Sequence, residues 1–365
     1  MRALLVIAIV AAFTGAAYAY PQFQMSKDQT CAGCHIQPDG GGILNENGFA
    51  TAEAVSQLGM PPEFMYGTLD LPDWLALGGD MRSVAGYMQT PQRYLAFIPM
   101  QLEAYAALTF GNFSGHVTVG YRPPEKDNEL ATIIWSREHF LQWQQEEGSE
   151  GLFIRAGRFM PIFGLRFVEH TIYTRRYGGT PLFSDTYGAA VSYVKPKYEA
   201  HLTGFFKDPL IDPVRLGSGG ALYGEYRLDE RTQLGAGAMV EISSYEQKYR
   251  GEVTAKYYIP KPEILLQAEV QLVNPHVGGY GYRQLVGYLM GTYFANDYLM
   301  IDLGLGHYDE NIRIKNLDRD AVDLNVHYFV MSHMEVMFIG RYELMQFGNG
   351  GPSGAYAMLQ AHYRL

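Results

Sequence analysis

The sequence predicts an all-β protein: a transmembrane antiparallel barrel of about 16 strands, with a small N-terminal segment of helix and loop as its plug. Three observations lead there. From about Leu75 to the last residue, segments of roughly ten residues alternate apolar and polar with a period of two, the repeated signature of a membrane barrel. The connections between these segments alternate short and long, as turns on one side of an outer membrane and loops on the other do. Composition agrees, with 28 Tyr, 19 Phe and 41 Gly in 365 residues and only 18% charged residues, below the roughly 25% of ordinary soluble domains.

The first residues carry an export signal. Arg2 supplies a positive n-region, Ala3 to Phe13 an apolar core, and Ala17-Tyr18-Ala19 a small-x-small cleavage site, so a signal peptide over residues 1–19 and a mature start at Tyr20 are expected. Its apolar run is about eleven residues, whereas a spanning helix needs roughly 20. No later stretch of 18 apolar residues exists, so any crossing of a bilayer is made by strands. The net charge of −10 argues against nucleic acid as a partner, because a phosphate backbone selects basic surfaces.

Residues 20–72 form the second unit and hold the only two cysteines, in Cys31-Ala32-Gly33-Cys34-His35. A c-type haem needs two thiols to form thioethers with its vinyl groups and a histidine directly after the second thiol to reach the iron. One covalent haem c is therefore expected, attached through Cys31 and Cys34, with His35 as the proximal axial ligand. A C-x-x-C redox pair would need a βαβ context, and a structural zinc site further Cys or His nearby. Neither surrounds this motif.

The second axial ligand is sought among Met25, Met60 and Met65, since no other histidine lies between Pro38 and Trp74. Met60 is preferred, because Gly59-Met60-Pro61-Pro62 resembles the Met-Pro segment that presents the distal methionine in many small cytochromes c. A core role for Met60, with His116 or His327 on the barrel wall ligating instead, stays open. Gln37 to Gly48, with Gly40-Gly41-Gly42, reads as a turn-forming run that lets backbone pass close to a flat macrocycle, or as plain loop. Ala50 to Leu58 has helical character.

The barrel occupies residues 73–365. Tyr249, Gly251, Val253, Ala255 and Tyr257 share one face against Arg250, Glu252, Thr254 and Lys256. Leu266, Ala268, Val270 and Leu272 likewise oppose Gln267, Glu269 and Gln271. Val322, Leu324, Val326 and Tyr328 oppose Asp323, Asn325 and His327, and the final strand sets Leu359, Ala361, Tyr363 and Leu365 against Gln360, His362 and Arg364. Short turns are expected at Gly111 to Ser114, Gln145 to Gly151, Lys195 to Lys197, Leu228 to Thr232, Lys261 to Glu263, Ala295 to Asp297 and Ser332 to His333. Longer connections are expected at Tyr121 to Leu130, Met160 to Asp185, Asp208 to Gly219, Asn274 to Tyr280, Asp309 to Asp320 and Gln346 to Gly354. With an even strand number both barrel ends lie on the short-turn, periplasmic side, so the haem segment is expected in the lumen or across the periplasmic mouth. The longest connection, from Gly157 through Arg158, Arg166, Glu169 and His170 to Arg175-Arg176, is unusually charged for this chain. It either folds inward as a constriction or stays a solvated surface loop.

The order of export signal, aromatic-Pro-x-Phe at Tyr20-Pro21-Gln22-Phe23, C-x-x-C-H, Leu44-Asn45, Gly48 and then porin-like strands resembles the fused outer-membrane monohaem cytochrome-porins, whose best-known members are iron oxidases of iron-oxidising bacteria. The specific likeness covers about residues 20 to 48. It implies outer-membrane electron transfer, with an extracellular donor or acceptor such as Fe(II) on one side and periplasmic cytochromes as redox partners on the other. Two other readings stay open: a solute channel whose haem plug is structural or gating, and a soluble periplasmic cytochrome with a β-domain.

Overall fold

The computed structural model describes residues 20–90, 92–121, 134–146, 148–182, 184–208, 217–345 and 354–365. The expected signal peptide and parts of the connections at 122–133, 209–216 and 346–353 lie outside the described residues. The strands are β1 (Leu75–Thr90), β2 (Gln92–Phe110), β3 (Phe113–Tyr121), β4 (Ile134–Trp135), β5 (His139–Gln144), β6 (Gly151–Phe159), β7 (Thr186–Lys195), β8 (Tyr198–Phe205) and β9 (Ser218–Arg227). They continue as β10 (Thr232–Ile242), β11 (Glu246–Pro260), β12 (Glu263–Val277), β13 (Tyr280–Gly281), β14 (Gln284–Asn296), β15 (Leu299–Asp309), β16 (Asp318–Met331), β17 (Met334–Met345) and β18 (Gly354–Arg364).

Apart from β4 with β5 and β13 with β14, consecutive strands pair antiparallel, and β1 pairs with both β2 and β18, so the sheet closes. The pieces β4 and β5 both lie along β3, and β13 and β14 both lie along β12, so each couple is one interrupted strand. The result is a closed barrel of sixteen strands, a count at which the interior is wide enough for an aqueous channel or a plug.

Burial is inverted relative to a soluble protein. Along β11 the charged Arg250, Glu252 and Lys256 are buried while Tyr249, Val253 and Tyr257 are exposed, and β8 alternates exposed and buried residue by residue. The exposed apolar residues face the space lipid would fill, and the polar ones line the lumen, where they find partners in one another and in the chain inside. Large aromatics ring the outer surface near both rims: Phe110, Phe113, Tyr198 and Tyr226 at the short-turn end, Tyr94, Tyr121, Tyr280 and Tyr342 at the other. Such belts sit at headgroup level.

All the short turns expected from the sequence are found at one end, the turn after β14 falling at Asp297-Tyr298, one residue later than expected. Three connections at the other end are shorter than a strict alternation requires. Only Pro91 separates β1 from β2, and Ser243 closes a tight turn between β10 and β11 by accepting from the Glu246 amide. The strand β12 runs on to Val277 and turns through Gly278-Gly279, both with positive φ, where only two residues link the paired strands.

Inside the barrel, residues 20–72 form α1 (Pro21–Ser26), α2 (Cys31–Cys34), α3 (Glu46–Ala54) and a 3-10 turn at Phe64–Gly67. Pro21 stands at the start of α1, where its missing N–H costs nothing. Thr30 caps α2 by accepting from the Gly33 amide at 3.1 Å, and Asn45 caps α3 by accepting from Gly48 at 2.9 Å. These caps matter because helices this short gain little from propagation and are held by their ends and by packing.

The segment touches the wall around its circumference. Tyr20 donates to Glu335 on β17, Gln22 to Asp302 on β15, Gln24 to Glu225 on β9, and Arg155 on β6 donates to Asp39. The Gln57 and Leu58 amides bond to the Phe329 and Val330 carbonyls, so the chain after α3 runs against the end of β16. The connection 160–185 folds inward from the opposite end. Gly164 donates to Glu252 at 2.7 Å and Gly179 to Gln271 at 3.1 Å, while Arg166 donates to Glu199 on the wall and to the Asp39 carbonyl of the segment. Val168 packs with Tyr20 and Met25. Segment and loop therefore meet in the middle of the lumen.

Candidate functional site

Cys31, Cys34 and His35 come together on one cavity of about 80 Å³ at the short-turn end. The helix α2 brings the two thiols within one turn, and His35 leaves it in extended conformation, φ −119 and ψ 152, to bridge with Leu44. The Asn45 side chain donates to the Ala32 carbonyl at 3.0 Å, and Asn47 to the Gly33 carbonyl at 2.8 Å, so α3 is stitched onto the motif. Gly48 permits that approach: a Cβ there would fall 2.0 Å from the Cys34 carbonyl oxygen.

The three side chains suit a covalent haem better than a redox dithiol. Both cysteines are unpaired. Burial pushes the Cys31 thiol up to about 12 and raises Cys34 as well, the latter opposed by a hydrogen bond from Thr51. A redox dithiol requires the reverse, a lowered thiol pKa. Burial holds His35 down at about 4, with the Gly41 backbone opposing, so the imidazole is neutral near pH 7 and able to ligate. Its Nδ1 is buried without a hydrogen bond of standard geometry. The remaining lining is chiefly apolar, with Phe23, Leu44, Val55 and Phe329. Two thiols, a neutral histidine and an apolar cleft fit a haem.

The other residues singled out in the sequence lie elsewhere. Met60 does not line the cavity: its φ is +90, its side chain is 43% exposed, and its carbonyl accepts from Ser332 at 3.0 Å, which pins the backbone on the rim and turns the side chain to solvent. Met25 is buried in the cluster with Tyr20 and Phe329, and Met65 lies in the 3-10 turn, so neither lines the cavity. His327 bridges Asp302 and Glu335, and His116 stacks on Phe140, both away from the motif. What the sequence did not single out is Met331, the last residue of β16, which does line the cavity. Alternation along β16 could not have found it, because the register shifts between Phe329 and Met331.

His35 also borders a second cavity of about 620 Å³, lined by Ile36, Asn45 and the turns after β2 and β5, at the short-turn mouth. At the opposite end a cavity of about 290 Å³ is lined by Arg176, Tyr177, Lys248, Arg250 and Tyr308. Between them stand the segment and the inward loop.

No family model matches the chain, and no curated protein matches its sequence. Solved structures do. The outer-membrane OmpT of Vibrio cholerae matches with a TM-score of 0.61 at 14% identity, over 81% of this chain and 100% of that one. The anion-selective porin from Comamonas acidovorans matches with a TM-score of 0.60 at 10% identity, over 80% and 99%. The outer membrane channel DcaP of Acinetobacter baumannii matches with a TM-score of 0.57 at 14% identity, over 80% and 97%. At these identities the likeness establishes the fold, a porin-like outer-membrane barrel. This is the fold expected from the sequence, and it does not favour the alternative of a soluble periplasmic cytochrome with a β-domain.

Proposed function

We propose that the chain is a one-electron carrier of the outer membrane, built on a single haem c held by Cys31, Cys34 and His35. It would serve exchange between an extracellular donor or acceptor such as Fe(II) and periplasmic cytochromes. The observation that carries this reading is the meeting of two unpaired thiols and one neutral, buried imidazole in a single apolar cavity. A haem bound there supplies a one-electron iron couple, whose potential responds to axial ligation, burial and nearby charge. The chain's own residues hold and shield the site. Thr30 and Asn45 fix the turn that carries the cysteines, and Phe23, Val55 and Phe329 keep water from its apolar side. The short-turn mouth beside His35 offers a periplasmic partner an approach, and the cavity around Tyr177 and Tyr308 offers one from outside.

The test is to purify the exported protein in detergent, measure covalent haem per chain, and follow its reduction by Fe(II) in a stopped-flow instrument with an organic donor as control. One haem per chain, absent from Cys31→Ser and Cys34→Ser, and reduced by an outside donor, is the expected result. A chain without covalent haem would sink the proposal.

The porin fold favours a second reading, a solute channel in which the segment is a structural or gating plug. Liposome swelling separates the two. A carrier with a filled lumen passes little solute, whereas strong flux with a haem that exchanges no electrons with outside donors would support the channel.

A further inference from the structure

The cavity around the Cys31 to His35 motif has two sources of side chains. The segment contributes the cysteines, His35, Leu44 and Val55, and the barrel contributes Phe329, Met331, Ser332 and Arg364 from the ends of β16 and β18 and the turn after β16. Side chains able to ligate haem iron are few: histidine, methionine, cysteine and tyrosine account for the known cases. Among the described lining residues outside the motif, only Tyr20 and Met331 belong to these types. The Tyr20 hydroxyl is committed to the Glu335 carboxylate at 2.6 and 2.8 Å. Met331 is half-buried, and its Sδ accepts a long contact, 3.9 Å, from the Tyr66 hydroxyl, which itself bonds Tyr363 at 2.7 Å. That contact holds the thioether against Tyr66 of the segment, while Met331 itself lines the cavity.

Resting on the haem reading above, we infer that Met331, from the barrel wall, is the second axial ligand, paired with His35 from the segment. The nearby histidines are occupied. His327 is held between Asp302 and Glu335, and His333 uses both ring nitrogens on the Arg364 and Pro61 carbonyls. The Met60 backbone is tied to Ser332, the residue after Met331, so the Met-Pro stretch of the segment braces the wall beside the ligand instead of supplying it. One consequence follows for the redox site. A ligand pair drawn from two separate parts of the chain is complete only when the segment is seated in the barrel, so axial ligation and docking are linked. A thioether in place of a second imidazole raises the reduction potential.

The test compares the full-length protein with Met331→Leu, Met331→His and Met60→Leu, each purified in detergent as the heat-modifiable folded barrel. Three readouts are taken: covalent haem after denaturation, the near-infrared thioether-to-ferric-iron charge-transfer band, and the midpoint potential. Wild type and Met60→Leu are expected to show the band at equal strength. Met331→Leu, which nearly conserves volume, is expected to keep covalent haem, lose the band and titrate at lower potential. Met331→His is expected to regain a six-coordinate low-spin spectrum with two imidazoles, which shows the position itself to be at the iron. A band that survives Met331→Leu, a band lost in Met60→Leu, or a haem-loaded wild type without one overturns the assignment of Met331 and leaves the carrier reading standing. Absence of covalent haem from the wild type overturns the carrier reading, and this one with it.

Discussion

The seating of the segment in the barrel depends heavily on one ion pair, and its removal should loosen the segment by a measurable amount. Arg155, on β6, has a side chain only 2% exposed, and its guanidinium meets both Asp39 carboxylate oxygens, at 2.8 and 3.0 Å. The same guanidinium lies over the Phe159 ring at 4.3 Å from its centre. Asp39→Ala leaves that cation buried against the Phe140 and Phe159 rings, with Gln37 Oε1 at 3.5 Å in place of a carboxylate. Removing one partner of a buried pair costs about 3–5 kcal/mol, most of it from the uncompensated charge. At about 1.4 kcal/mol per tenfold, the population of the unseated segment rises by roughly two to three orders of magnitude. Amide exchange over residues 31–44, followed by mass spectrometry in detergent, should accelerate by at least about a hundredfold, because those amides exchange through local opening. Replacing both partners, as in Asp39→Ala with Arg155→Met, should bring exchange back to within about tenfold of wild type, since an apolar pair of similar volume carries no orphan charge. Exchange in Asp39→Ala within about threefold of wild type, or a double variant as fast as the single, would refute the view that this pair anchors the plug.

Three further outcomes are expected. Gly48→Ala gains about 1 kcal/mol of helix propensity, but its Cβ falls 2.0 Å from the Cys34 carbonyl, a backbone atom that cannot move aside. The clash costs about 1–3 kcal/mol, so the yield of covalent haem attachment should drop, and an undiminished yield would show that α3 shifts freely. Lys256→Met leaves Glu225 buried without the ammonium that meets both its oxygens at 2.8 Å; the folded barrel should lose about 3 kcal/mol, seen as a lower midpoint in the loss of heat-modifiable gel mobility. His170, in the inward loop, is held down at about 4 first by burial and then by the fields of Arg175, Arg82, Arg176 and Arg341. The released loop takes up its proton near 6.5, so the inward seating is fully stable above about pH 6.5 and loses on the order of 2–3 kcal/mol as pH falls to about 4. Protease cleavage within 160–185 should therefore speed up between pH 6.5 and 4 in the wild type and change much less in His170→Gln.

Much of this architecture was legible in the sequence because the relevant signals are local. The faces of β11, β12, β16 and β18 could be assigned from alternate residues alone, since a strand turns each successive side chain to the other side. The turns at Pro196-Lys197 and Ser332-His333 stood out for the same reason. The hairpin at Gly278-Gly279 falls inside the longer connection expected from Asn274 to Tyr280, because Asn274-Pro275 reads as a breaker while the pairing with β11 carries the strand on to Val277. The inward course of residues 160–185 was open between two outcomes in the sequence. It was settled by acceptors on distant strands, Glu252 and Gln271, which the loop amides of Gly164 and Gly179 satisfy.

The motif divides along the same line. Two thiols and a histidine within five residues are what the proposed haem site rests on, because the thioether spacing and a proximal ligand are set by one turn of chain. The second ligand obeys no such spacing. A search limited to neighbouring residues arrives at Met60, whereas the closed barrel carries the end of β16 back against the segment and brings Met331 to the cavity instead. The sequence by itself determined the strand faces, the short turns and the Cys31 to His35 triad. Only the tertiary structure decided which wall faces that triad, because closing a sixteen-strand sheet makes neighbours of residues that no local pattern relates.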